Sequence, residues 1–405
     1  MSIAPSCDLV VLTGETSGDA YGAAILEALR VTHPDLVCAA MGGEHLRAAG
    51  AEIEQPIDGL AVMGLAPVLA RLPEFIRLGL RLERMIRSRR PKVILTIDYP
   101  GLNMRLLRKL QDLRHEGTRF VHLVAPQVWA WKPRRAKAIA ATVDHLLCFF
   151  PFEPPLFNRY AHRYPAFRAE FVGHPLVDLV HQIDTTDLDR DQGWNAADPV
   201  LLLAPGSRQR EVAKLLSIFH QAAEIALPTL ERLSGRTVQV VVARVPEFPL
   251  DLYRKATHFS LIEGSYRALC ARARCGLIAS GTATLEAALA GLPHVIAYHT
   301  DRLTAAVARH VLLTKHVGLP NIVADARILP EVLQDQLTPQ RLAQHLMQQW
   351  AEGAVRAAVR NGLTMTRERL GAGGAIARIT QALNLELDLG TRRQTHDLRS
   401  ATEMM

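Results

Sequence analysis

Residues 92–98 read Lys-Val-Ile-Leu-Thr-Ile-Asp, a short and almost continuously apolar run that ends in a carboxylate. Runs of this kind are typical of strands that are buried on both faces of a parallel sheet. Residues 8–12 and 119–124 repeat the pattern, and longer helical patterns lie between the three runs. The first part of the chain is therefore predicted to be a doubly wound α/β domain.

A second series of such runs follows a polar segment. It comprises residues 200–204, 238–242, 275–279 and 294–297, again alternating with helical patterns. The polar segment is rich in Asp and Thr and lacks periodicity, which predicts a linker at residues 179–198. We predict one domain at residues 1–178, a second at 199–345, C-terminal helices at 346–383 and a disordered tail at 384–405. Ligands of open α/β sheets bind where strands end, so a cleft between the two sheets is the expected place of function.

Composition and charge bound the class of protein. With 405 residues, 49% of them hydrophobic and 21% charged, the chain has the makeup of a packed protein of two domains. Its net charge of +7 suits nucleic acid, an anionic lipid surface or a phosphorylated substrate, and does not choose among them. The five cysteines lack paired spacing, and no segment has about twenty uninterrupted apolar residues. We expect buried, reduced thiols in a cytosolic protein that is neither exported nor membrane-spanning.

Two strand ends of the first domain carry candidate groups. Asp98 closes its strand, where a carboxylate can accept a proton from an attacking hydroxyl; a structural Asp bonded to backbone amides is the alternative. Residues 14–19 read Gly-Glu-Thr-Ser-Gly-Asp and lead into a helix, so that Glu15, Ser17 and backbone amides could meet an anion or a sugar. Helix capping by Ser17 or Asp19 explains the same loop.

A third strand end combines aromatic and basic residues at positions 124–137. Gln127, Trp129 and Trp131 precede a basic run there, and such a mixture suits a sugar and its phosphate. A basic surface helix with packed tryptophans is the alternative. No RNA-binding signature accompanies the cluster, so nucleic acid is not an expected partner. His174 is as well explained as a hinge residue as a catalyst, and no HxxxH or HExxH spacing predicts a metal site.

The second domain has two loops of a phosphate-binding type. Residues 205–211 read Pro-Gly-Ser-Arg-Gln-Arg-Glu and open a helix, so its amides, Ser207 and Arg208 can neutralise a diphosphate. Residues 280–286 read Ser-Gly-Thr-Ala-Thr-Leu-Glu and also enter a helix, within which Glu286 could bind ribose hydroxyls. The alternative for this second loop is a capping box with Thr282 as the cap.

The spacing at residues 72–86 predicts a basic amphipathic helix. Its apolar side is formed by Phe75, Ile76, Leu78, Leu82, Met85 and Ile86, and its basic side by Arg77, Arg81 and Arg84. Such a helix suits an anionic membrane surface, and the apolar residues 60–69 before it point the same way. Packing of the apolar side against the first sheet is the alternative.

In this order, the motifs resemble the lipid A disaccharide synthases of Gram-negative bacteria, a family with a GT-B glycosyltransferase fold. The resemblance spans most of residues 8–380. It rests on the motifs at residues 14–19, 61–64, 97–100, 126–131, 205–208, 280–286 and 319–321. The fold that it implies has two doubly wound Rossmann-like domains facing a cleft, with C-terminal helices packing back on the N-terminal domain.

The resemblance also implies a reaction and its participants. The family joins a UDP-linked 2,3-diacylglucosamine to a 2,3-diacylglucosamine 1-phosphate through a β-1,6 bond, in an inverting, metal-independent displacement that needs no cofactor. It works at the cytoplasmic face of the inner membrane, and its members can exchange C-terminal segments, so a homodimer is one expected assembly. Asp98 matches the base. Donor-side positions are Ser207, Arg208, Ser280, Gly281, Thr282, Glu286 and Asn321, and cleft positions of undefined role are Glu15, Ser17 and Gln127.

Two departures from the family and three rivals remain. The tail beyond about residue 383 has no counterpart in the family. Many members carry an acid shortly after the strand-end aspartate, where this chain has Gly101, so no second carboxylate is expected on that loop. The acyl chains are expected against the apolar surface around residues 62–86. The rival interpretations are a UDP-N-acetylglucosamine epimerase, a peptidoglycan transferase and a non-catalytic basic protein that binds a membrane surface or nucleic acid.

Overall fold

The apolar runs of the sequence form buried parallel strands. Leu9–Leu12 and Val93–Ile97 pair in parallel, and every residue of both strands is buried. Helices on both faces of a parallel sheet exclude water, which is why apolar side chains fill nearly every position of such strands. The structure is a computed structural model that describes residues 7–57, 72–131, 133–180, 183–300 and 314–403.

The secondary structure of the described residues alternates strand and helix. The strands are Leu9–Leu12 (β1), Cys38–Gly42 (β2), Glu52–Pro56 (β3), Val93–Ile97 (β4), Arg119–Leu123 (β5), His145–Cys148 (β6), Arg168–Phe171 (β7), Val200–Ala204 (β8), Gln239–Arg244 (β9), Ser260–Glu263 (β10), Cys275–Ala279 (β11), His294–Tyr298 (β12) and Glu331–Leu333 (β13). The helices are Thr16–Thr32 (α1), Glu44–Ala48 (α2), Leu72–Arg89 (α3), Pro100–Lys109 (α4), Gln111–His115 (α5), Val128–Trp131 (α6), Arg135–Thr142 (α7), Glu153–Asn158 (α8), Pro175–Val180 (α9), Thr186–Gln192 (α10), Gln209–Ser234 (α11), Leu250–Arg254 (α12), Tyr266–Arg272 (α13), Thr282–Leu289 (α14), Leu319–Ala324 (α15), Pro339–Trp350 (α16), Ala354–Leu370 (α17) and Ala375–Glu403 (α18). Short 3-10 segments lie at Ala161–Arg163 and Gln334–Gln336.

The chain divides into two units, each with its own parallel sheet. The first unit comprises Met1–Pro175 and Gly374–Met405, and the second comprises Leu176–Gly373. The first sheet has the order β3-β2-β1-β4-β5-β6-β7, and the second has the order β10-β9-β8-β11-β12-β13. The two predicted series of strands are therefore confirmed as two open α/β sheets.

The segment predicted as a linker belongs to the second unit. Helix α10 lies within it, and Leu188 of this helix is buried in the core formed with β8 and β11. Asp189 accepts a hydrogen bond from Nε of Arg272 at 2.6 Å. The polar composition reflects a surface helix anchored by one apolar residue and one ion pair.

The C-terminal helices do not form a separate block. Helices α16 and α17 lie in the second unit, where Leu346 and Trp350 are fully buried. Helix α18 packs on the first sheet, with Ile379 and Leu383 in its core. The prediction that C-terminal helices return to the first domain is confirmed for α18.

The prediction of disorder after residue 383 is wrong for the part of the tail whose side chains are described. Helix α18 continues to Glu403, and Leu387 and Glu386 are buried at 5% and 0% exposure. Leu383 and Leu387 are one helical turn apart and contact the same core. This turn of a mostly polar helix therefore packs on the sheet.

Two further expectations concern thiols and membrane spans. All five cysteines are free and buried, as predicted. None of the helices in the described ranges combines the length and the apolar composition that crossing a bilayer requires.

Strand order reverses at one point in each sheet. β1 lies between β2 and β4, and β8 lies between β9 and β11. The loops that leave such a pair of central strands diverge, which opens a crevice at their carboxyl ends. In the first unit these loops begin at Thr13 and Asp98, and in the second they begin at Pro205 and Ser280.

Candidate active site

Asp98 occupies a constrained turn at the carboxyl end of β4. Its φ angle is +48° and that of Tyr99 is +50°, so two successive residues adopt the left-handed conformation. Side chains other than Asn, Asp and Gly rarely tolerate this region. The turn is held because the amide of Asp98 donates to the carbonyl of Leu123 at 2.9 Å and Nδ2 of buried Asn103 donates to the carbonyl of Asp98 at 2.7 Å.

The loop after β1 approaches this turn closely. A Cβ atom on Gly14 would lie 2.5 Å from Cγ of Tyr99, so the ring of Tyr99 packs directly over the glycine backbone. Only glycine allows this approach. The contact brings the residue that follows, Glu15, to the same edge of the sheet as Asp98.

The pKa of Asp98 is raised above its ordinary value. Burial of the carboxylate by surrounding protein is the main cause, the negative charge of Glu15 adds to it, and a hydrogen bond from the amide of Tyr99 opposes it. Part of Asp98 nevertheless remains open to solvent, so a ligand can reach the carboxylate. The sequence predicted no second acid on this loop because of Gly101, and the structure supplies Glu15 from the neighbouring loop.

The capping explanation of residues 14–19 is wrong for the helix that they open. Helix α1 has no side-chain cap, and Ser17 is exposed. Asp19 is buried and accepts hydrogen bonds from the amides of Gly43 and His45 at 2.6 and 3.0 Å, which caps the next helix, α2. Asp19 is thus structural, whereas Glu15 and Ser17 stay accessible.

The aromatic cluster after β5 is largely structural. Nε1 of Trp129 donates to the buried carboxyl of Glu153 at 3.1 Å, and burial raises the pKa of Glu153 to about 8. His174 packs against Phe149, with the ring centroids 4.8 Å apart, and desolvation lowers its pKa to about 3. These contacts favour the packed alternative for Trp129 over sugar stacking. Gln127, in the same loop, is exposed.

The first loop of the second unit presents one arginine at the start of a long helix. Arg208 is the N-cap residue of α11, and its Nη1 donates to Oε1 of Glu211 at 2.8 Å. Gly206 has a φ of +127°, and a Cβ there would lie 2.6 Å from Glu211. Arg208 remains about half exposed, as does the loop around Ser207. The amides at this helix end and the arginine can therefore meet an anion.

The second loop does not form the capping box. Gly281 is the N-cap of α14 and no side chain caps the helix, so Thr282 stays exposed. Nε of Arg267 lies 3.3 Å from Oε2 of Glu286. Burial raises the pKa of Glu286, and the charge of Arg267 opposes that rise. Because β8 and β11 are adjacent, Ser280 and the loop at Ser207 share one sheet edge.

Asn321 is not available as a donor-binding side chain. It is fully buried, and its Nδ2 donates to the carbonyl of Leu329 at 2.9 Å and to Oε1 of Glu331 at 2.8 Å. Its Oδ1 accepts from the amide of Leu329 at 2.9 Å. Glu331 in turn accepts from the amide of Gly318. Asn321 therefore braces the turn into α15, and the predicted direct contact is wrong because its amide group is already bonded inside the protein.

Helix α3 divides its apolar residues between the core and the surface. Leu78 is 2% exposed and lies in the core with Leu82 and Ile86, so its predicted membrane contact is wrong. Ile76 and Leu80 are 56% and 43% exposed. The cations Arg77, Arg81 and Arg84 are also exposed. The apolar segment at residues 60–69 lies outside the described residues.

A pocket of about 390 Å³ adjoins the turn at Asp98. It lies between α3 and α4, and most of its wall is apolar. Its lining includes Phe75, Ile76, Tyr99, Leu102, Arg105 and Lys109. No local pattern in the sequence predicts this pocket, because it forms between two helices separated by strand β4.

The described residues also contain a group that the histidine spacing did not predict. His220, Glu224 and His258 have potential metal-ligand atoms within 4.8 Å of one another. His220 and Glu224 are one turn apart on α11, and His258 comes from the segment after α12. The group includes no residue of the two phosphate-type loops or of the Asp98 turn.

The sequence matches one protein family over most of its length. A model of the lipid-A-disaccharide synthetase family matches residues 9–376 of this chain. Lipid-A-disaccharide synthase from Myxococcus xanthus is 35% identical over 389 residues, which cover 94% of this chain and 97% of that protein. The same enzyme from Pseudomonas aeruginosa is 37% identical over 339 residues, covering 83% and 87%.

Similar solved structures share the fold at low identity. UDP-GlcNAc 2-epimerase from Neisseria meningitidis aligns with a TM-score of 0.60 and 12% identity, covering 93% of this chain and 99% of that one. A calicheamicin glycosyltransferase aligns with a TM-score of 0.59 and 16% identity, covering 95% and 98%. Such likeness is evidence for the two-sheet architecture of this group of enzymes and for nothing finer.

Proposed function

This chain belongs to the lipid-A-disaccharide synthetase family, and we propose that it joins a UDP-linked 2,3-diacylglucosamine to 2,3-diacylglucosamine 1-phosphate. It is a glycosyltransferase, and its products are UDP and a β-1,6-linked disaccharide 1-phosphate. The observation that carries the chemistry is the pair of carboxylates, Asp98 and Glu15, at the strand-order reversal of the first sheet. The fold likeness to epimerases does not extend to their activity.

Asp98 is the proposed general base. It accepts the proton of the acceptor's 6-hydroxyl while that oxygen forms a bond to the anomeric carbon of the donor. The bond between this carbon and the UDP oxygen breaks, the electron pair leaves with UDP, and the configuration inverts. A raised pKa suits this role because a stronger base takes the proton more readily.

The two loops of the second unit are the proposed donor site. The diphosphate is proposed to face partial or full positive charge from Ser207, Arg208 and the N-terminal backbone amides of α11 and α14. This charge stabilises the departing UDP. A diphosphate, with its greater charge, competes with Glu211 for the guanidinium of Arg208. Glu286, oriented by Arg267, is proposed to accept hydrogen bonds from the ribose. Ser280, Gly281 and Thr282 supply the backbone of this loop.

The apolar pocket beside Asp98 is the proposed acyl-chain site of the acceptor. Its wall includes Phe75, Ile76 and Leu102, and it opens at the turn that holds the proposed base. An acyl chain that leaves water for this pocket gains free energy in proportion to the apolar area buried. Glu15, Ser17 and Gln127 remain accessible at strand ends of the same unit and are proposed to contact the acceptor sugar.

An assay of donor turnover tests the function. The purified protein is incubated with radiolabelled UDP-2,3-diacylglucosamine, with and without diacylglucosamine 1-phosphate in detergent micelles. We expect release of UDP and a labelled disaccharide only when the acceptor is present. Conversion of the donor alone to an epimer would instead support an epimerase, and no turnover together with salt-sensitive RNA binding would support a non-catalytic basic protein.

The exposed face of α3 is proposed to bind the cytoplasmic surface of the inner membrane. Ile76 and Leu80 supply exposed apolar contacts, and Arg77, Arg81 and Arg84 supply positive charge beside them. Arg77 and Arg81 form no ion pair within the described ranges. Apolar insertion and attraction to anionic headgroups add to each other on such a face.

Replacing Ile76 and Leu80 together by serine tests this surface. We expect binding to vesicles that contain anionic phospholipid to weaken roughly tenfold or more, because two apolar side chains no longer enter the interface. Co-sedimentation measures the bound fraction. Val31→Ser is the matched control, since Val31 is 83% exposed on α1, and it should bind like wild type. Equal binding of the wild type and both variants would show that this face of α3 does not bind the membrane.

A further inference from the structure

Two cations share the pocket with its apolar wall. Arg105 and Lys109 line it from α4, the helix that begins two residues after Asp98. Arg105 is five residues after Pro100, so it lies roughly 7 Å along the helix axis from the start of α4. An acyl chain needs no positive charge, so the cations point to a second, anionic part of the same ligand.

Arg105 has no acidic partner among the described residues, in contrast to Arg87 and Arg114. Arg87 pairs with Asp112, and Arg114 pairs with buried Asp144 at 2.9 Å. Arg105 is exposed and has no ion pair within the described ranges. Lys109 lies 3.7 Å from Glu83, at the outer limit for an ion pair. A planar guanidinium beside apolar walls is suited to bind a phosphate through two parallel hydrogen bonds.

We propose that Arg105, with Lys109, binds the phosphomonoester of the acceptor while an acyl chain of the same molecule fills the pocket. The inference rests on the proposed function, because it places the acceptor's hydroxyl at Asp98. In the acceptor's pyranose ring, C1 carries the phosphate and C5 carries the 6-hydroxymethyl group, and both carbons are bonded to the ring oxygen, so the two groups lie close to each other. A phosphate held at Arg105, roughly 7 Å along α4 from the helix start, therefore keeps the 6-hydroxyl within reach of the turn at Asp98.

The same chemistry could be met by phosphates of bulk membrane lipids. If Arg105 binds the acceptor, replacing it changes the KM for phosphorylated diacylglucosamine but not the KM for the unphosphorylated compound. Both compounds are presented in the same neutral micelles. A headgroup site discriminates between anionic and neutral vesicles and is indifferent to the acceptor. One set of variants can therefore distinguish binding of the acceptor's phosphate from binding of a lipid headgroup.

The variants are Arg105→Ala, Arg105→Lys and, as the matched control, Arg108→Ala. Arg108 is an exposed cation on the same helix that does not line the pocket, and its Nε donates to the carbonyl of Met104. In neutral detergent micelles, Arg105→Ala should raise KM for the phosphorylated acceptor by about tenfold to a hundredfold, with little change in kcat. KM for the unphosphorylated acceptor should stay unchanged. Arg105→Lys should be intermediate, and Arg108→Ala should match wild type.

Equal effects on both acceptors, or no effect on either, would overturn the proposal. Weaker binding of Arg105→Ala to phosphatidylglycerol vesicles without acceptor discrimination would assign Arg105 to membrane headgroups instead. Equilibrium binding of diacylglucosamine 1-phosphate in neutral micelles is measured alongside. If the wild type bound this lipid through Arg105 but transferred no sugar, the proposed function would be wrong. The proposed phosphate site would still be supported.

Discussion

Asp98→Asn is expected to lower kcat by roughly 10²–10⁴-fold and to leave the affinity for the UDP-sugar nearly unchanged. The substitution removes the proposed proton acceptor and little else. Asparagine tolerates the left-handed backbone of this turn, where φ is +48°, so the close packing of Tyr99 on Gly14 should persist. Steady-state kinetics with saturating acceptor measure the rate, and titration with UDP measures the donor site.

Glu15→Gln provides the companion measurement, because Glu15 raises the pKa of Asp98. With Asp98 as the proposed base, the rate is expected to require its ionised form and to fall as the pH drops through its pKa. Removing the charge of Glu15 lowers that pKa, so the acid limb of the kcat profile should move to lower pH. Near-normal turnover of Asp98→Asn would exclude Asp98 as the base. An acid limb that stays in place in Glu15→Gln would show that Glu15 does not act through Asp98.

The strands and their loops could be predicted because parallel strands leave a direct signal in the sequence. β4 and β11 are short apolar runs, and a parallel sheet binds ligands where such runs end. The nearness of Glu15 to Asp98 could not be predicted from spacing. It depends on β1 and β4 being neighbours, which is a property of strand order.

Errors arose where burial depends on distant partners. The local sequence predicts an exposed turn residue at Asn321, but Glu331, ten residues later, accepts a hydrogen bond from its side chain. Leu78 lies on an amphipathic helix whose apolar side could contact either a membrane or the first sheet. In the structure it packs on the sheet. The tail did carry a signal, since Ile379, Leu383 and Leu387 recur at helical spacing, although charged residues around them suggested disorder.

Glu386, inside the segment that composition predicted to be disordered, is expected to be a main anchor of α18. Its carboxylate is fully buried, 2.7 Å from Nε of Arg119 and 3.0 Å from Nη2 of Arg168. Hydrogen bonds from His145 and Arg119 hold the pKa of Glu386 at about 2, against the desolvation that would raise it. Glu386→Gln should lower the free energy of unfolding by about 3 kcal/mol at pH 7, as measured by urea denaturation.

The pH dependence separates this ion-pair network from simple packing. A carboxyl whose pKa is lower in the folded state stabilises the protein above its unfolded pKa, near 4.5, and loses that effect as the pH falls toward 2. The stability difference between wild type and Glu386→Gln should therefore shrink over this range. Glu170→Gln is the matched control, because Glu170 contacts the same His145 at 3.2 Å but is half exposed, and it should cost less than about 1 kcal/mol. A difference that stays constant with pH, or an equal loss in both variants, would mean that α18 is held by its apolar contacts with the sheet and not by the charge of Glu386.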